Sequence, residues 1–177
     1  MDIVSILQQI TNGNRQAFAL IVQHYQHSLF AYLGRMGFSQ AQAQEIAQEA
    51  FLRAWQHLAE FDSKRAQFST WLFTIAYRLA LNELDRAATR YELVQTDELD
   101  AIDPQALPLE QLEQAEQKQR LQQALRRLAL AERSVLALAY IQGFDLTTIA
   151  QIEGCNVSAI KVRLHRARAQ LRELLGE

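Results

Sequence analysis

The chain has 177 residues, 49% of them hydrophobic, with 18 Lys/Arg against 20 Asp/Glu and a net charge of −2. That length holds one domain or two small ones, and two prolines with six glycines suit a helical protein. One cysteine, Cys155, excludes an internal disulfide and argues against a thiolate metal site, while the lack of a bilayer-length apolar run or a signal-peptide pattern makes a cytoplasmic location the expectation.

Apolar spacing predicts helices throughout, without convincing strand alternation. A short helix near Asp2–Ile10 ends at Asn12-Gly13. A second runs from about Arg15 to Arg35, with Phe18, Ile21, Val22, Tyr25, Leu29 and Tyr32 or Leu33 at three- and four-residue steps, and stops before Gly37. Ser39 opens a third, Gln40 to about Leu58, with Ala43, Ile46, Ala47, Ala50, Phe51 and Trp55 inward. Gln44, Glu45, Gln48, Glu49 and Arg53 cover its polar side, with Leu52 near the edge; taken alone this is an ordinary solvated face. Glu45 and Glu49 stand at i,i+4, but a carboxylate metal bundle needs Glu-x-x-His pairs on neighbouring helices. None occurs, so no metal is expected.

A polar loop, Phe61-Asp62-Ser63-Lys64-Arg65, leads to a fourth helix from near Phe68 to Thr89. Leu72, Ile75 and Leu79 form one stripe there, yet Phe73, Tyr77, Leu81 and Leu84 load much of the remaining circumference. A helix apolar nearly all round is central in its bundle or covered by a partner. Lys64, Arg65, Phe68, Ser69, Thr70, Trp71, Tyr77 and Arg78 interleave cations, hydroxyls and aromatics. That mixture suits unstacked bases, whose faces stack on rings while phosphates meet cations. Ordinary core aromatics account for it equally well.

The charges are not spread evenly. Residues 1–91 hold eight Lys/Arg against seven Asp/Glu, 92–116 hold eight acids and no Lys/Arg, and 117–177 hold ten bases against five acids. An acidic connector between a neutral and a basic half is a layout that the overall charge hides. The connector, with Pro104 and Pro108, reads as a flexible linker over 91–111, dividing an N-terminal helical bundle (1–90) from a C-terminal domain (112–177). Helices are then expected over Leu112 to about Leu128 and Leu130 to Tyr140.

From Phe144 to Leu175 the chain reads as a helix–turn–helix. Ala150 lets the two helices cross closely, Gly154 tolerates a left-handed turn, and Asn156 caps the second helix. Val157, Ile160, Leu164, Ala167, Leu171 and Leu174 make the buried stripe. Lys161, Arg163, His165, Arg166 and Arg168 point elsewhere, with Ser158, Ala159 and Val162 at the exposed N-terminal end. A major groove accepts such a helix, first turns at base edges and cations on phosphates.

The segments Gln48-Glu49-Ala50-Phe51-Leu52-Arg53-Ala54-Trp55, Phe68-Ser69-Thr70-Trp71-Leu72-Phe73-Thr74-Ile75-Ala76 after Phe61-Asp62, and Ile160-Lys161-Val162-Arg163-Leu164-His165-Arg166-Ala167-Arg168 appear in this order along nearly the whole chain. So arranged, the chain resembles the two-domain extracytoplasmic-function sigma factors of bacterial RNA polymerase, in the sigma-70 family. The resemblance implies an all-α fold and a promoter-specificity subunit with no catalysis and no cofactor. It implies that Glu45, Gln48, Glu49 and Leu52 bind the clamp of the polymerase largest subunit, and that the C-terminal domain docks on the polymerase flap. Lys64, Arg65, Phe68, Ser69, Thr70, Trp71, Tyr77 and Arg78 take the minus-ten positions, where the element is opened and a base flipped. Ser158, Ala159, Lys161, Val162, Arg163, His165, Arg166 and Arg168 take those that read the minus-thirty-five element. An anti-sigma partner is implied as well, and the acidic connector is expected to mimic the RNA whose exit path it threads. The sequence departs from the family pattern at Tyr77-Arg78, where Arg-Asn is common, and at Asn82, Glu83 and Asp85, where acids stand near the expected DNA path.

Two other readings share these features. A sigma mimic would sequester an anti-sigma factor without DNA, but has no need of the cations on the final helix. A stand-alone helix–turn–helix regulator leaves the first domain unexplained. An enzyme lacks support: there is no phosphate-binding glycine loop, His-Glu-x-x-His motif or nucleophile elbow, and the four histidines (His24, His27, His57, His165) are scattered.

Overall fold

The computed structural model describes residues 3–91 and 109–176, and these fold as eight α-helices without a strand among them. The first body comprises α1 (Ile3–Thr11), α2 (Phe18–Arg35), α3 (Gln40–Gln56) and α4 (Phe68–Tyr91); the second comprises α5 (Leu109–Arg127), α6 (Leu130–Tyr140), α7 (Leu146–Glu153) and α8 (Val157–Leu175). The order matches the all-α expectation, and the differences lie at helix ends. Arg15–Ala17 tightens into a 3-10 turn before α2, and another, Leu58–Glu60, follows α3 where the sequence pattern continued the α-helix. Of the connector expected over 91–111, Tyr91 and 109–111 are helical, and 92–108 lie outside the described residues.

Helix ends are set by local chemistry. The Ser39 hydroxyl accepts from the Gln42 N–H at 3.3 Å, and the Gln42 side-chain oxygen accepts from the Ser39 N–H at 3.0 Å, a reciprocal box that starts α3. Before α6 only half of this device exists: Glu132 accepts from the Ala129 N–H at 3.0 Å, and Ala129 has no side-chain acceptor to return. Asp145 caps α7 by accepting from Thr148 N–H at 2.7 Å, and Asn156 caps α8 by accepting from Ala159 N–H at 2.8 Å. Gly154 closes α7 at φ +67, in the left-handed region that disfavours a side chain.

In the first body α3 presents Ala43, Ala47, Ala50 and Ala54, all buried, so that α2 and α4 approach it closely. Ile21, Leu29, Leu33, Ile46, Phe51 and Leu72 fill the space between them. Trp55 meets Phe18 edge-on, ring centres 5.1 Å apart. The second body packs Val135, Leu138, Ile149, Ile152, Ile160 and Ala167 around the helix–turn–helix.

The two bodies then join in one continuous apolar core. Phe73 of α4 and Phe144, just before α7, pack edge-on at 5.3 Å. Tyr32 of α2 and Ser134 of α6, both fully buried, share a 2.9 Å hydrogen bond. The Gln142 side-chain amide donates to the Ser28 carbonyl at 2.9 Å. The backbone at Gly37 lies so near the Arg133 guanidinium that a Cβ there would collide with it. Behind this seam the Glu153 side chain is wholly buried and paired with Arg163. Its Oε1 has no well-formed hydrogen bond among the described residues. Tyr32, Tyr77, Ser134 and Arg163 face it from α2, α4, α6 and α8. Burial raises the Glu153 pKa above 4.5, outweighing the Ser134 hydroxyl and Arg163, which lower it.

Two predictions follow from this packing. Gly154→Ala and Asn156→Ala each remove about 1 kcal/mol of stability, through backbone strain and loss of a cap respectively. Each lowers the thermal midpoint by about 2–4 °C, and a midpoint unchanged in calorimetry overturns the assignment. An acid whose folded pKa is raised favours folding while protonated, and that contribution fades as pH rises through the folded value. Glu153→Gln is therefore expected to lose stability relative to the parent least at pH 7 and most near pH 4.5. A parent-to-variant difference that shrinks toward acid pH refutes this.

Candidate nucleic-acid interface

On α8 the buried stripe is as spaced in the sequence: Ile160 and Ala167 are fully buried, and Val157, Leu164, Leu171 and Leu174 pack partly against the core. The opposite side is presented. Ser158, Lys161, Val162, His165, Arg166 and Arg168 are exposed, and Ala159 is half-buried. Val162 keeps 51% of its surface accessible between cations. An apolar side chain so placed is suited to a thymine methyl, while the neighbouring cations suit phosphates or purine edges. Arg163 is different. Its guanidinium turns back to the buried Glu153 carboxylate, so in this arrangement it is held by the protein.

The loop before α4 is shaped by Asp62, whose carboxylate accepts from Lys64 N–H at 2.9 Å and whose carbonyl accepts from Arg65 N–H at 3.0 Å. This turn projects Lys64 and Arg65 into solvent. The aromatics behind them form a cluster: Phe68 lies 5.4 Å from Phe61, 5.6 Å from Trp71 and 5.7 Å from Tyr25. Phe68 and Thr70 are consequently buried, Ser69 and Trp71 half-buried, and Arg78 exposed. Tyr77 is buried against the second body, and its hydroxyl pKa is pushed up to about 12, first by burial and then by Glu153. Phe68, Thr70 and Tyr77, expected at the minus-ten positions, are thus buried in this arrangement. Phe68 and Thr70 form the footing of the loop, and Tyr77 forms the seam. Lys64, Arg65, Ser69, Trp71 and Arg78 remain at least partly accessible.

On α3, Glu45 and Gln48 are exposed and Leu52 is 49% accessible, while Glu49 is tied to Arg53 at 2.6 Å. Gln48 also borders a groove of about 950 Å³ that sequence reasoning did not identify, between α2 and α3 with the end of α5 at one side. Phe30, 38% exposed, lines it. The available signal was Phe30 standing off the buried stripe of α2. A second groove, about 380 Å³, lies between α5, α6 and α8, with apolar walls including Leu125, Leu136, Tyr140 and Leu171 and arginines at Arg35, Arg133, Arg168 and Arg172. Asn82 and Asp85 are exposed on α4, and Glu83 reaches toward Arg86 at 3.9 Å. Among the described residues no helix is long and apolar enough to cross a membrane.

Comparison with known proteins accounts for both bodies. Residues 21–90 match the family model for sigma-70 region 2, and residues 118–171 match that for sigma-70 region 4. The chain is 32% identical to the ECF RNA polymerase sigma factor SigW of Bacillus subtilis, covering 100% of this chain and 98% of that protein. It is 30% identical to the RNA polymerase sigma-H factor of Pseudomonas aeruginosa, over 96% and 92% of the two chains. Among solved structures it is similar to CnrH, determined in complex with the cytosolic domain of CnrY, with a TM-score of 0.68, 25% identity and coverage of 97% and 95%. The fold is shared too with the sigma factor RpoE of Bartonella quintana, solved with the anti-sigma factor NepR, at TM-score 0.70, 24% identity and coverage of 90% and 96%. With both regions matched in order and a relative this similar over its full length, the chain belongs to the extracytoplasmic-function group of sigma-70 family RNA polymerase sigma factors.

Proposed function

We propose that this alternative sigma factor joins bacterial core polymerase in the cytoplasm and selects promoters through two surfaces, α8 for the minus-thirty-five element and the loop preceding α4 for the minus-ten element. It performs no catalysis and needs no cofactor. The observation that carries the reading is the side of α8 presenting Ser158, Lys161, Val162, His165, Arg166 and Arg168 to solvent, on a chain matched in order by regions 2 and 4. Lys161 and Val162, in the early turns, address base edges; Arg166 and Arg168, further along, address phosphates. Arg163 joins them once released from Glu153. Lys64 and Arg65 hold the backbone of the melted strand, and Ser69 and Trp71 receive an unstacked base. Glu45, Gln48, Glu49 and Leu52 bind the polymerase clamp, and the second body docks on the flap. An anti-sigma factor covers these faces when the factor is idle, a reading supported by RpoE, a protein of the same fold solved with the anti-sigma factor NepR. A sigma mimic without DNA is disfavoured by the exposed cations of α8.

Run-off transcription over a promoter library, with core enzyme plus this chain, tests the whole reading; failure to initiate from any template overturns it. With the selected minus-thirty-five duplex, Arg166→Ala is expected to reduce the slope of log affinity against log salt by about 1. Lys161→Ala is expected to cost about 1–3 kcal/mol and to relax sequence preference. Salt titrations followed by fluorescence anisotropy check both, and an unaltered slope with unaltered preference refutes the placement of α8. Leu52→Glu puts a charge into the clamp contact and is expected to weaken core binding at least tenfold, about 1.4 kcal/mol. Duplex binding by the same variant stays at the parental level, and equal loss in both assays indicates misfolding instead.

A further inference from the structure

Three arginines of this chain are each matched by an acid: Arg53 by Glu49, Arg86 by Glu83 and Arg163 by Glu153. Three others gather near Gly37 without a carboxylate partner among the described residues: Arg35 and Arg126, in the last turns of α2 and α5, and Arg133 of α6. Arg133 lies against the backbone at Gly37, and its Nε is buried with no acceptor among the described residues. Burial, and after it the charge of Arg126, lowers the Arg133 pKa. A cation is thus held where loss of water and a like charge both oppose it. A buried donor of this kind is accounted for in native structures by a bound ion or water.

The surroundings narrow the choice. Arg35 and Arg133 also border the groove between α5, α6 and α8, as do Arg168 and Arg172, and no acid lines it among the described residues. Its walls are apolar, with Leu125, Leu136 and Leu171 along them and Tyr140 left 61% exposed. Exposed apolar surface edged by cations complements a molecule that is apolar in body and anionic at one end. Leu171 stands half a turn round α8 from Val162, so the groove opens away from the side proposed to read DNA. Size separates the remaining ligands. The groove holds about 380 Å³, within the roughly 300–1,000 Å³ of small-molecule sites. One turn of a helix, about 10 Å across and about 5.4 Å long, already occupies about 420 Å³. A single chain fills the groove better than a helix does.

We propose that the arginine-edged groove between α5, α6 and α8 binds a single-chain amphiphile with an oxyanion head. Arg35, Arg126 and Arg133 hold the carboxylate or phosphate group, and the apolar chain lies along Leu125, Leu136 and Leu171. The planar fork of a guanidinium fits either head, and a head bound there supplies the acceptor for Arg133 Nε. The site stands apart from the promoter reading, since none of these six residues belongs to a surface assigned to DNA.

Isothermal titration calorimetry of the full chain tests this with three probes below their micelle-forming concentrations: decyl phosphate, inorganic phosphate and decyltrimethylammonium. Decyl phosphate is expected to saturate one site at least tenfold more tightly than inorganic phosphate, and the cationic analogue is expected not to bind. Arg133→Met, which keeps much of the bulk of the stem, is expected to weaken decyl phosphate at least tenfold. Arg126→Met changes an exposed position and is expected to weaken it at least threefold, which keeps the test decisive should Arg133→Met lose parental helicity by circular dichroism. Tyr140→Ser is expected to weaken decyl phosphate at least threefold while inorganic phosphate binds as before. Absence of saturable binding overturns the site. Equal affinity for inorganic phosphate removes the apolar groove from it, and equal affinity for the cationic analogue, or parental binding by Arg126→Met, removes the arginines; each result overturns the proposal.

Discussion

Burial of α4 on two sides is the constraint from which the rest of the arrangement follows. A helix bearing Leu72, Phe73, Ala76, Tyr77 and Ala80, all buried, needs more cover than α2 and α3 provide. Phe144 and α7 provide it. With α7 seated there, α6 comes against α2, Ser134 reaches Tyr32, and the carboxylate of Glu153 is drawn out of water. The last of these is unfavourable in itself, since a buried carboxylate with an oxygen lacking a well-formed bond is stabilised only partly by Arg163. Apolar contact across the seam, with Phe73 against Phe144, accompanies that cost.

Much of this was legible from residue order. The stripes on α3 and α8, the turn at Gly154 and the cap at Asn156 depend on contacts within a few residues, so period and side-chain chemistry determine them. The apolar excess on α4 was equally plain, and it implied either a central position or a partner. Sequence alone did not say which, because the answer lies in contacts such as Tyr32 with Ser134, more than a hundred positions apart. Distance along the chain likewise explains Tyr77, which Glu153 approaches from another helix. Arg163 has a nearer partner, the same carboxylate ten positions earlier, hidden from residue order by the turn between α7 and α8. The burial of Phe68 has a different cause: an aromatic beside Lys64 and Arg65 reads alike whether it faces solvent or supports the loop from beneath, and here three neighbouring rings enclose it.

Membership in the sigma family also gives meaning to the uneven charge. The cations proposed to meet DNA stand on α8 and the loop before α4, while the acids concentrate in residues 92–116. A chain with a net charge of −2 thereby presents local positive surfaces, and long-range attraction to nucleic acid is moderated while short-range contact is retained.

Gly37 is a point where the backbone of the first body meets a side chain of the second. It ends the turn after α2 at φ +97, and the Arg133 guanidinium of α6 lies where its side chain would have been. The missing carbon leaves a seat for that cation: an added methyl group would turn the guanidinium aside and would strain a backbone held at positive φ. One position of the smallest size thus lets a charged group of α6 lie directly against bare backbone after α2, where any side chain would push it toward solvent.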